Sequence, residues 1–184
     1  MTPANSRGGD VVVLVLASGR GERFIASGGS GSKLQALLDG KPVLTHTIEA
    51  VRASGLRWHV EDAGHPGMGD SIAAGVRATR DAAGWLVLPG DLPLVRPETL
   101  QLVAQALATH EVVVPTFENQ RGHPVGFSAA CGGELAALTG PKGAASVVRA
   151  HPVMELPVAD RGIVVDIDTV DALADAERWL RGPR

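Results

Sequence analysis

Continuously apolar segments alternate along the chain with segments in which apolar residues recur every three or four positions. Residues 11–16, 85–88 and 112–114 are unbroken apolar runs bounded by glycine, proline or polar residues. Such runs predict strands that are buried on both faces of a parallel sheet. Weaker patterns predict shorter strands or extended pieces at residues 58–60, 125–127, 153–156 and 163–165.

Helical spacing occupies the stretches between these strands. The first helix is predicted to end near Gly55, and Asp70 or Ser71 is the expected N-cap of the second. The helices are predicted after Pro42, after the glycine-rich loop at 63–69, from Pro97, up to Val148 and after Thr169, which caps the last one.

Strands that alternate with helices in this way predict an α/β fold. Because several of the strands are continuously apolar, we expect a three-layer, Rossmann-like arrangement with a mainly parallel sheet. A chain of 184 residues with 45% hydrophobic content can bury the core of one such domain. We place a single domain at residues 11–181 and a flexible N-terminal tail at residues 1–10.

Composition and charge narrow the class of protein. The net charge is −3 and lysine and arginine form no runs, which argues against nucleic acid or an anionic membrane as the main partner. No segment has the length of a membrane span or the pattern of a secretory or transit signal, so the expected location is the cytoplasm. Cys131 is the only cysteine, which excludes an internal disulfide and a cysteine-rich zinc site.

The first apolar run leads into a glycine-rich loop that carries Arg23 and Lys33. A buried strand followed by a glycine loop with fixed cations is typical of phosphate-binding sites. The loop lacks the Gly-Lys-Ser/Thr sequence of a P-loop, because Lys33 follows Ser32 and precedes a leucine. Two cations ten positions apart favour the β and γ phosphates of a nucleoside triphosphate.

A dinucleotide-binding loop is the alternative interpretation of the same residues. Gly19 and Gly21 supply two of the three glycines of that fingerprint, and Asp39 lies near the place of a ribose-binding acid. The third glycine position falls on Phe24, which would crowd the helix against the strand. This interpretation predicts binding of NAD(H) that does not need magnesium.

Carboxylates are predicted beside the triphosphate. Ligands on parallel sheets lie at the carboxyl ends of strands, and this rule brings the loop from residue 17 to 33, the turn at 89–94 and the segment 166–168 to one edge. Magnesium favours one or two carboxylates together with phosphate oxygens, and we select Asp91 and Asp168 as its ligands. The structural alternatives are that Asp91 only forms a turn beside Pro93 and that Asp168 only caps the last helix.

The candidate chemistry is nucleotidyl transfer. An acceptor that is a phosphate monoester is largely dianionic near neutral pH, because its second pKa is about 6. Such an acceptor attacks the α-phosphorus without a general base, so the enzyme needs only to align it and to neutralise the departing pyrophosphate. A Ser/His/Asp constellation is accordingly not required.

Several motifs together resemble the molybdenum cofactor nucleotidyltransferases of the MobA/MocA type, within the larger group of NTP transferases that act on sugar phosphates and related acceptors. The resemblance extends over most of the chain, roughly residues 11–180. It rests on Leu16-Ala17-Ser18-Gly19 with Arg23 and Lys33, on Gly67-Met68-Gly69-Asp70-Ser71, on Leu88-Pro89-Gly90-Asp91-Leu92-Pro93-Leu94, on Gly122-His123-Pro124-Val125 and on Asp166-Ile167-Asp168-Thr169.

The resemblance implies a nucleotide-diphospho-sugar transferase-like fold and the transfer of CMP from CTP to a molybdopterin-type acceptor, with release of pyrophosphate and with Mg²⁺ at Asp91 and Asp168. The Gly-Met-x-x-Ser and Gly-His-Pro elements resemble the cytidylyltransferase branch more than the guanylyltransferase branch. Arg23, Lys33 and Asp91 would be catalytic, His123 and Pro124 would face the acceptor, and a molybdoenzyme would be a transient partner. The implied nucleotide-binding residues are Leu16, Ala17, Ser18, Gly19, Gly21, Arg23, Lys33, Gly69, Ser71, Pro89 and Gly90.

The chain departs from the family pattern at the start of the nucleotide loop and before the Gly-Met-x-x-Ser element. Ser18 stands where the family usually has Ala or Gly, a position that bears on the choice of base. Residues 56–66 are too few for the usual strand and helix, so one strand of the sheet is expected to be reduced or lost. A GTP-specific or sugar-phosphate nucleotidyltransferase and a non-catalytic nucleotide or cofactor carrier stay open as alternatives.

Overall fold

The computed structural model describes residues 10–19 and 21–182. The tail expected at residues 1–10 therefore lies, except for residue 10, outside the described residues. Nine strands are present in this part of the chain: β1 Val11–Leu16, β2 Leu37–Leu38, β3 Lys41–Pro42, β4 Arg57–Glu61, β5 Gly84–Pro89, β6 Val112–Phe117, β7 Gln120–Arg121, β8 Val125–Ser128 and β9 Val153–Pro157.

Seven α-helices accompany them: α1 Glu22–Ala26, α2 Val43–Ala53, α3 Met68–Ala78, α4 Pro97–Ala106, α5 Gly132–Ala136, α6 Ala145–Ala150 and α7 Val170–Arg181. Short 3₁₀ turns lie at Lys33–Gln35, Ala129–Cys131 and Arg161–Val164. In the part of the chain that the structure describes, no helix is both long and apolar enough to cross a membrane.

Seven of the described strands form one sheet in the order β4-β1-β5-β8-β6-β7, with β9 also paired to β6, and β2 and β3 form a separate antiparallel pair. β1 pairs in parallel with both β4 and β5, and β6 pairs in parallel with β9. β8 is antiparallel to its neighbours β5 and β6, so β5 and β6 point the same way. The mainly parallel sheet predicted from the apolar runs is confirmed, and its parallel strands end at one edge.

The side chains of β1 show why a continuously apolar strand was needed. Val12, Leu14 and Leu16 belong to one buried cluster, which Ile72 and Val76 of α3 join. Val13 and Val15 belong to a second cluster on the other face, with residues of α2 and α4. Because successive side chains of a strand point to opposite faces, both faces of β1 are buried. The three-layer arrangement is confirmed.

Among the described residues between β1 and α3, β4 alone joins this sheet, and it pairs directly with β1. Residues 56–66 thus contain one strand and no helix. β4 lies at the edge of the sheet order. The sheet therefore ends beside β1 with the short strand β4, which is followed by the loop that leads to α3.

The structure corrects three local predictions. Residues 163–165 are not a strand, because Arg161–Val164 is a 3₁₀ turn held by the side chain of Asp160. The N-cap of α3 is Gly67 and not Asp70 or Ser71, which lie inside the first turn. The alanine-rich stretch up to Val148 is divided into two short helices, α5 and α6.

Candidate functional site

The turn after β5 places Asp91 at the carboxyl edge of the sheet. Gly90 N donates to Leu16 O at 2.9 Å, and Thr47 Oγ1 of α2 donates to Gly90 O at 2.9 Å. A Cβ at Gly90 would lie 2.9 Å from Leu44 Cδ1 and 3.0 Å from Leu16 O, so a larger residue would displace the turn. The glycine lets the turn lie against β1 with the Asp91 side chain at the end of two adjacent parallel strands.

The segment before α7 lies against this turn. Ile167 N donates to Asp91 O at 3.0 Å, and the Ile167 side chain is fully buried. Asp166 and Asp168 flank Ile167, and one oxygen from each of Asp91, Asp166 and Asp168 lies within 4.8 Å of the others. Thr169, and not Asp168, caps α7 by accepting from Ala172 N, as predicted from the sequence.

Lys33 lies beside Asp91 and Asp168, although the glycine- and serine-rich residues before it separate it from the start of the loop. Its Nζ donates to Asp91 Oδ2 at 2.5 Å and to Asp168 Oδ1 at 2.5 Å. Arg23 Nη1 donates to Asp168 Oδ2 at 2.6 Å. Burial opposes the charge on Lys33, but the two carboxylates raise its pKa above the usual value. The predicted cations and carboxylates therefore form one cluster.

The carboxylates differ in their electrostatic surroundings. Burial raises the pKa of Asp166, and the nearby charges of Asp168 and Asp91 raise it further. Burial also pushes the pKa of Asp168 upward, but bonds and charges from Lys33 and Arg23 hold it below the usual value. Asp91 Oδ1 is buried and has no hydrogen-bond partner among the described residues. An unpartnered buried carboxylate oxygen beside two further carboxylates fits a hard divalent cation.

A cavity of about 350 Å³ adjoins this cluster. Of the residues selected from the sequence, eight line it: Leu16, Ser18, Gly19, Lys33, Ser71, Pro89, Gly90 and Asp91. Arg23 and Asp168 are not part of the lining, but they belong to the charged cluster through Lys33. The remaining selected residues, Ala17, Gly21, Gly69, His123 and Pro124, lie outside the lining.

The N-terminus of α3 forms another wall of the cavity. Ser18 Oγ and Ser71 Oγ are 2.7 Å apart, so the nucleotide loop and α3 are joined by their hydroxyls. Gly69 N donates to Gly140 O at 2.8 Å, and Asp70 Oδ2 accepts from Gly140 N at 2.9 Å. These bonds hold the loop that carries Pro141, itself a lining residue, against the first turn of α3.

His123 is buried close to the acidic cluster. Its backbone N donates to Ile163 O at 3.0 Å, and its Nδ1 is buried without a partner among the described residues. Burial lowers the pKa of His123, while the nearby charges of Asp91 and Asp166 act in the opposite direction. The structure thus places a buried imidazole beside the carboxylates and outside the cavity lining.

Several residues of the candidate site were not predicted from the sequence. Asp166 could have been found from its alternation with Asp168 around the apolar Ile167. The lining residues that were not selected come mostly from the start of α1 and from the loop before α3: Glu22, Leu34, His65, Pro66, Gly67, Met68 and Pro141. That loop was recognised as part of a motif, but its individual contacts depend on how β4 ends against β1.

Comparison with known proteins gives this arrangement a family context. The family model described as "MobA-like NTP transferase domain" matches residues 49–155. This match includes Asp91 but neither Lys33 nor Asp168. Among curated relatives, the bifunctional protein GlmU of Xylella fastidiosa is 30% identical over 135 residues, which is 60% of this chain and 29% of that protein. The chain thus spans less than a third of the length of these relatives.

Solved structures share the fold over nearly the whole chain. Rv0371c from Mycobacterium tuberculosis H37Rv is 27% identical with a TM-score of 0.78, covering 94% of this chain and 100% of that one. A manganese complex of Rv0371c matches with 26% identity and a TM-score of 0.74, covering 92% and 98%. Molybdopterin-guanine dinucleotide biosynthesis protein A from Archaeoglobus fulgidus shares the fold, with 21% identity and a TM-score of 0.68 over 92% and 98%.

Proposed function

The chain belongs to the family of MobA-like NTP transferases, and from this membership we propose that it moves a nucleoside monophosphate, CMP in preference, from an NTP to a phosphorylated acceptor and releases pyrophosphate. The observation that carries the proposal is the cluster in which Lys33 joins Asp91 and Asp168 beside the cavity. Nucleotidyl transfer needs such a combination of cations and carboxylates at one place, because charge develops on the triphosphate as the α-phosphorus reacts.

Asp91 and Asp168 would hold a Mg²⁺ ion, with Asp166 as a further oxygen ligand. The fit rests on the spacing of the three carboxylates and on the unpartnered oxygen of Asp91. Carboxylates with phosphate oxygens are the ligands that magnesium favours. When bound, the cation neutralises charge on the triphosphate oxygens. The manganese complex of Rv0371c, at 26% identity, supports a divalent cation at a site of this kind.

Lys33 and Arg23 would bind the triphosphate. Lys33 bonds to two carboxylates, so its ammonium moves from one of them to a phosphate oxygen when a metal–triphosphate complex binds. The Arg23 side chain is 82% exposed, so the guanidinium that bonds to Asp168 through Nη1 is also accessible to phosphate oxygens. Backbone N–H groups of Ser18 and Gly19, and the hydroxyl pair of Ser18 and Ser71, would contact the nucleoside.

A molybdopterin-type phosphate is the acceptor that we propose. Support comes from the Gly-His-Pro resemblance and from the position of His123, whose buried imidazole lies beside Asp91 and Asp166. The acceptor phosphate would attack as a dianion, so no side chain has to remove a proton from it. The resulting cytosine dinucleotide would pass to a molybdoenzyme, and we propose the cytoplasm, where the NTP pool lies, as the location. The single domain at residues 11–181 would contain the whole site.

A sugar phosphate is the second candidate acceptor, because the larger group of NTP transferases that the sequence motifs resemble includes sugar-phosphate nucleotidyltransferases. A carrier that binds the nucleotide or cofactor without turnover is the alternative from another class. Such a carrier needs the phosphate-binding loop but needs no carboxylates beside the α-phosphorus. The joint presence of Asp91, Asp166 and Asp168 therefore supports the enzyme over the carrier.

Calorimetric titration with CTP, GTP, ATP and NAD(H), each with and without Mg²⁺, tests the nucleotide part of the proposal. We expect magnesium-dependent binding with CTP preferred. Pyrophosphate release is then measured with molybdopterin and with sugar phosphates as acceptors. Binding without pyrophosphate release from any acceptor would support the carrier, and NAD(H) binding without Mg²⁺ would replace the proposal by a dinucleotide-binding protein.

A further inference from the structure

Glu61, the last residue of β4, holds two histidines on one buried carboxylate. Its side chain is 10% exposed, and its oxygens accept from His59 Nε2 at 3.3 Å and from His65 Nε2 at 3.0 Å. Ala63 N lies 3.3 Å from Oε1. Burial pushes the pKa of Glu61 upward, but these hydrogen bonds hold it below the usual value. Glu61 is therefore ionised at neutral pH and acts only as an acceptor.

This carboxylate determines which ring nitrogen of His65 carries the proton. Because Glu61 can only accept, Nε2 of His65 is the nitrogen that donates to it, and Nδ1 carries the lone pair whenever the ring holds a single proton. No described residue bonds to Nδ1, and Nδ1 is not among the buried atoms that lack a partner. His65 lines the cavity. The hydrogen bond to Glu61 therefore fixes the Nε2 side of a ring that belongs to the cavity wall.

The position of His65 points to the base of the nucleotide. In the proposed function, on which this step rests, the phosphates bind at Lys33 and at the cation that Asp91 would hold. The loop before α3 supplies a different wall, where His65 adjoins the apolar side chains of Pro66 and Met68. Apolar surface with one oriented polar group is the usual surrounding of a planar ring that must be distinguished from similar rings.

We propose that His65, positioned by Glu61, accepts a hydrogen bond from the exocyclic amine of the bound base and thereby selects cytosine over uracil. Cytosine carries an N–H donor at the position where uracil carries a carbonyl acceptor. A carbonyl opposite the Nδ1 lone pair would leave both acceptors without a partner. Sites built to pair with a particular polar group reject an analogue that lacks it, because the site's own polar group is then unpaired.

The test is the ratio of CTP to UTP affinity, measured by calorimetry with Mg²⁺ for the full chain and three variants. We expect the unchanged protein to bind CTP at least about tenfold more tightly than UTP, a ratio that corresponds to one hydrogen bond. His65→Phe keeps a planar ring without the acceptor, so its ratio should fall to about one. In Glu61→Gln the amide can donate to Nε2 and place the proton on Nδ1, so the ratio should also fall.

His59→Phe is the matched control, because His59 bonds to the same carboxylate but does not line the cavity. It should keep the ratio of the unchanged protein. Circular dichroism confirms that each variant is folded. Equal affinity for CTP and UTP, an unchanged ratio in His65→Phe, or an equal loss in His59→Phe overturns the inference. Binding of purine nucleotides alone overturns it and leaves the nucleotidyltransferase, whereas failure to bind any NTP overturns both.

Discussion

Lys33 occupies a position of competing electrostatic demands. Its ammonium lies between Asp91 and Asp168, with both bonds at 2.5 Å, and its side chain is only 13% exposed. Without a positive charge there, two carboxylates would face each other in a partly buried site, which is unfavourable. The same carboxylates are the proposed metal ligands. Lys33 therefore stabilises the carboxylates and at the same time competes with a divalent cation for them.

Lys33→Ala is expected to change metal binding and turnover in opposite directions. Removal of the ammonium frees both carboxylates, so Mn²⁺ measured alone by calorimetry should bind several-fold more tightly. Nucleotidyl transfer should fall by about 100-fold or more, because a cation that neutralises the triphosphate is lost. Asp91→Asn is the matched variant and should weaken both metal binding and transfer. Weaker Mn²⁺ binding in Lys33→Ala would show that the ammonium does not compete with the cation.

At the scale of elements, the 3₁₀ turn Arg161–Val164 links the end of the sheet to the acidic segment. Asp160, which is 2% exposed, accepts from Arg96 N, Thr99 Oγ1 and Gly162 N, so one carboxylate joins the start of α4 to this turn. Gly162 packs directly on the chain after Asp91, where a Cβ would lie 2.0 Å from Leu94 O. The close approach keeps the segment at 166–168 beside the Asp91 turn.

Gly162→Ala is therefore expected to destabilise the fold and to disturb the site. The new methyl group would have to displace backbone atoms, which costs about 1–3 kcal/mol of unfolding free energy in urea titrations. Because the displaced turn leads into Asp166 and Asp168, Mn²⁺ affinity should also fall. Gly133→Ala in α5 is the control, since a Cβ there meets nothing within 4 Å and alanine favours helix by about 0.5–1 kcal/mol. A Gly162→Ala protein as stable as Gly133→Ala would contradict the packing argument.

Elements differed in how far the sequence could predict them. The apolar runs that became β1, β5 and β6 were found because burial on both faces demands an unbroken apolar pattern. Residues 163–165 show the same pattern for another reason, since Ile163 is buried as part of a 3₁₀ turn. Helix α1, with five residues, is too short for helical spacing to show. An apolar pattern indicates that a segment is buried. Whether residues 163–165 form a strand or a turn depends on their contacts with distant residues.

The site was predictable to the same extent. Asp91 and Asp168 were selected from the sequence because each follows an apolar segment, and Lys33 because glycines precede it. Lys33 bonds to Asp91 across 58 positions of the sequence and to Asp168 across 135 positions, and His65 bonds to Glu61 across 4 positions. All three bonds depend on the packing of three segments at one edge of the sheet. Spacing along a chain cannot supply distances of this kind, although it identified most of the charged groups.

At the scale of the whole molecule, the carboxyl and amino ends of the parallel strands carry different charged clusters. The carboxyl ends of the parallel strands bear the candidate site, while His151 lies near the opposite end, beside Glu111, which precedes β6. His151 Nδ1 is 2.8 Å from Glu111 Oε2, and its Nε2 is 2.7 Å from Glu134 Oε1 of α5. One imidazolium thus joins the start of a central strand to a helix of one outer layer, and it does so away from the cavity.

The His151 cluster predicts a stability that depends on pH. The hydrogen bonds that His151 donates to Glu111 and Glu134 raise its pKa above the usual value of 6.5. A pKa raised by folding stabilises the folded state fully below the unfolded pKa, and the gain is lost as pH rises through the folded pKa. The melting temperature of His151→Gln should therefore lie below that of the unchanged protein at about pH 5.5 and approach it towards about pH 9.

Thr169→Ala, which removes an uncharged cap, should lower the melting temperature about equally at both pH values. A His151→Gln difference that stays constant with pH would mean that the two hydrogen bonds act without the imidazolium charge. Since the His151 cluster lies at the end of the sheet opposite the candidate site, His151→Gln and the unchanged protein should bind CTP with the same affinity at a fixed pH.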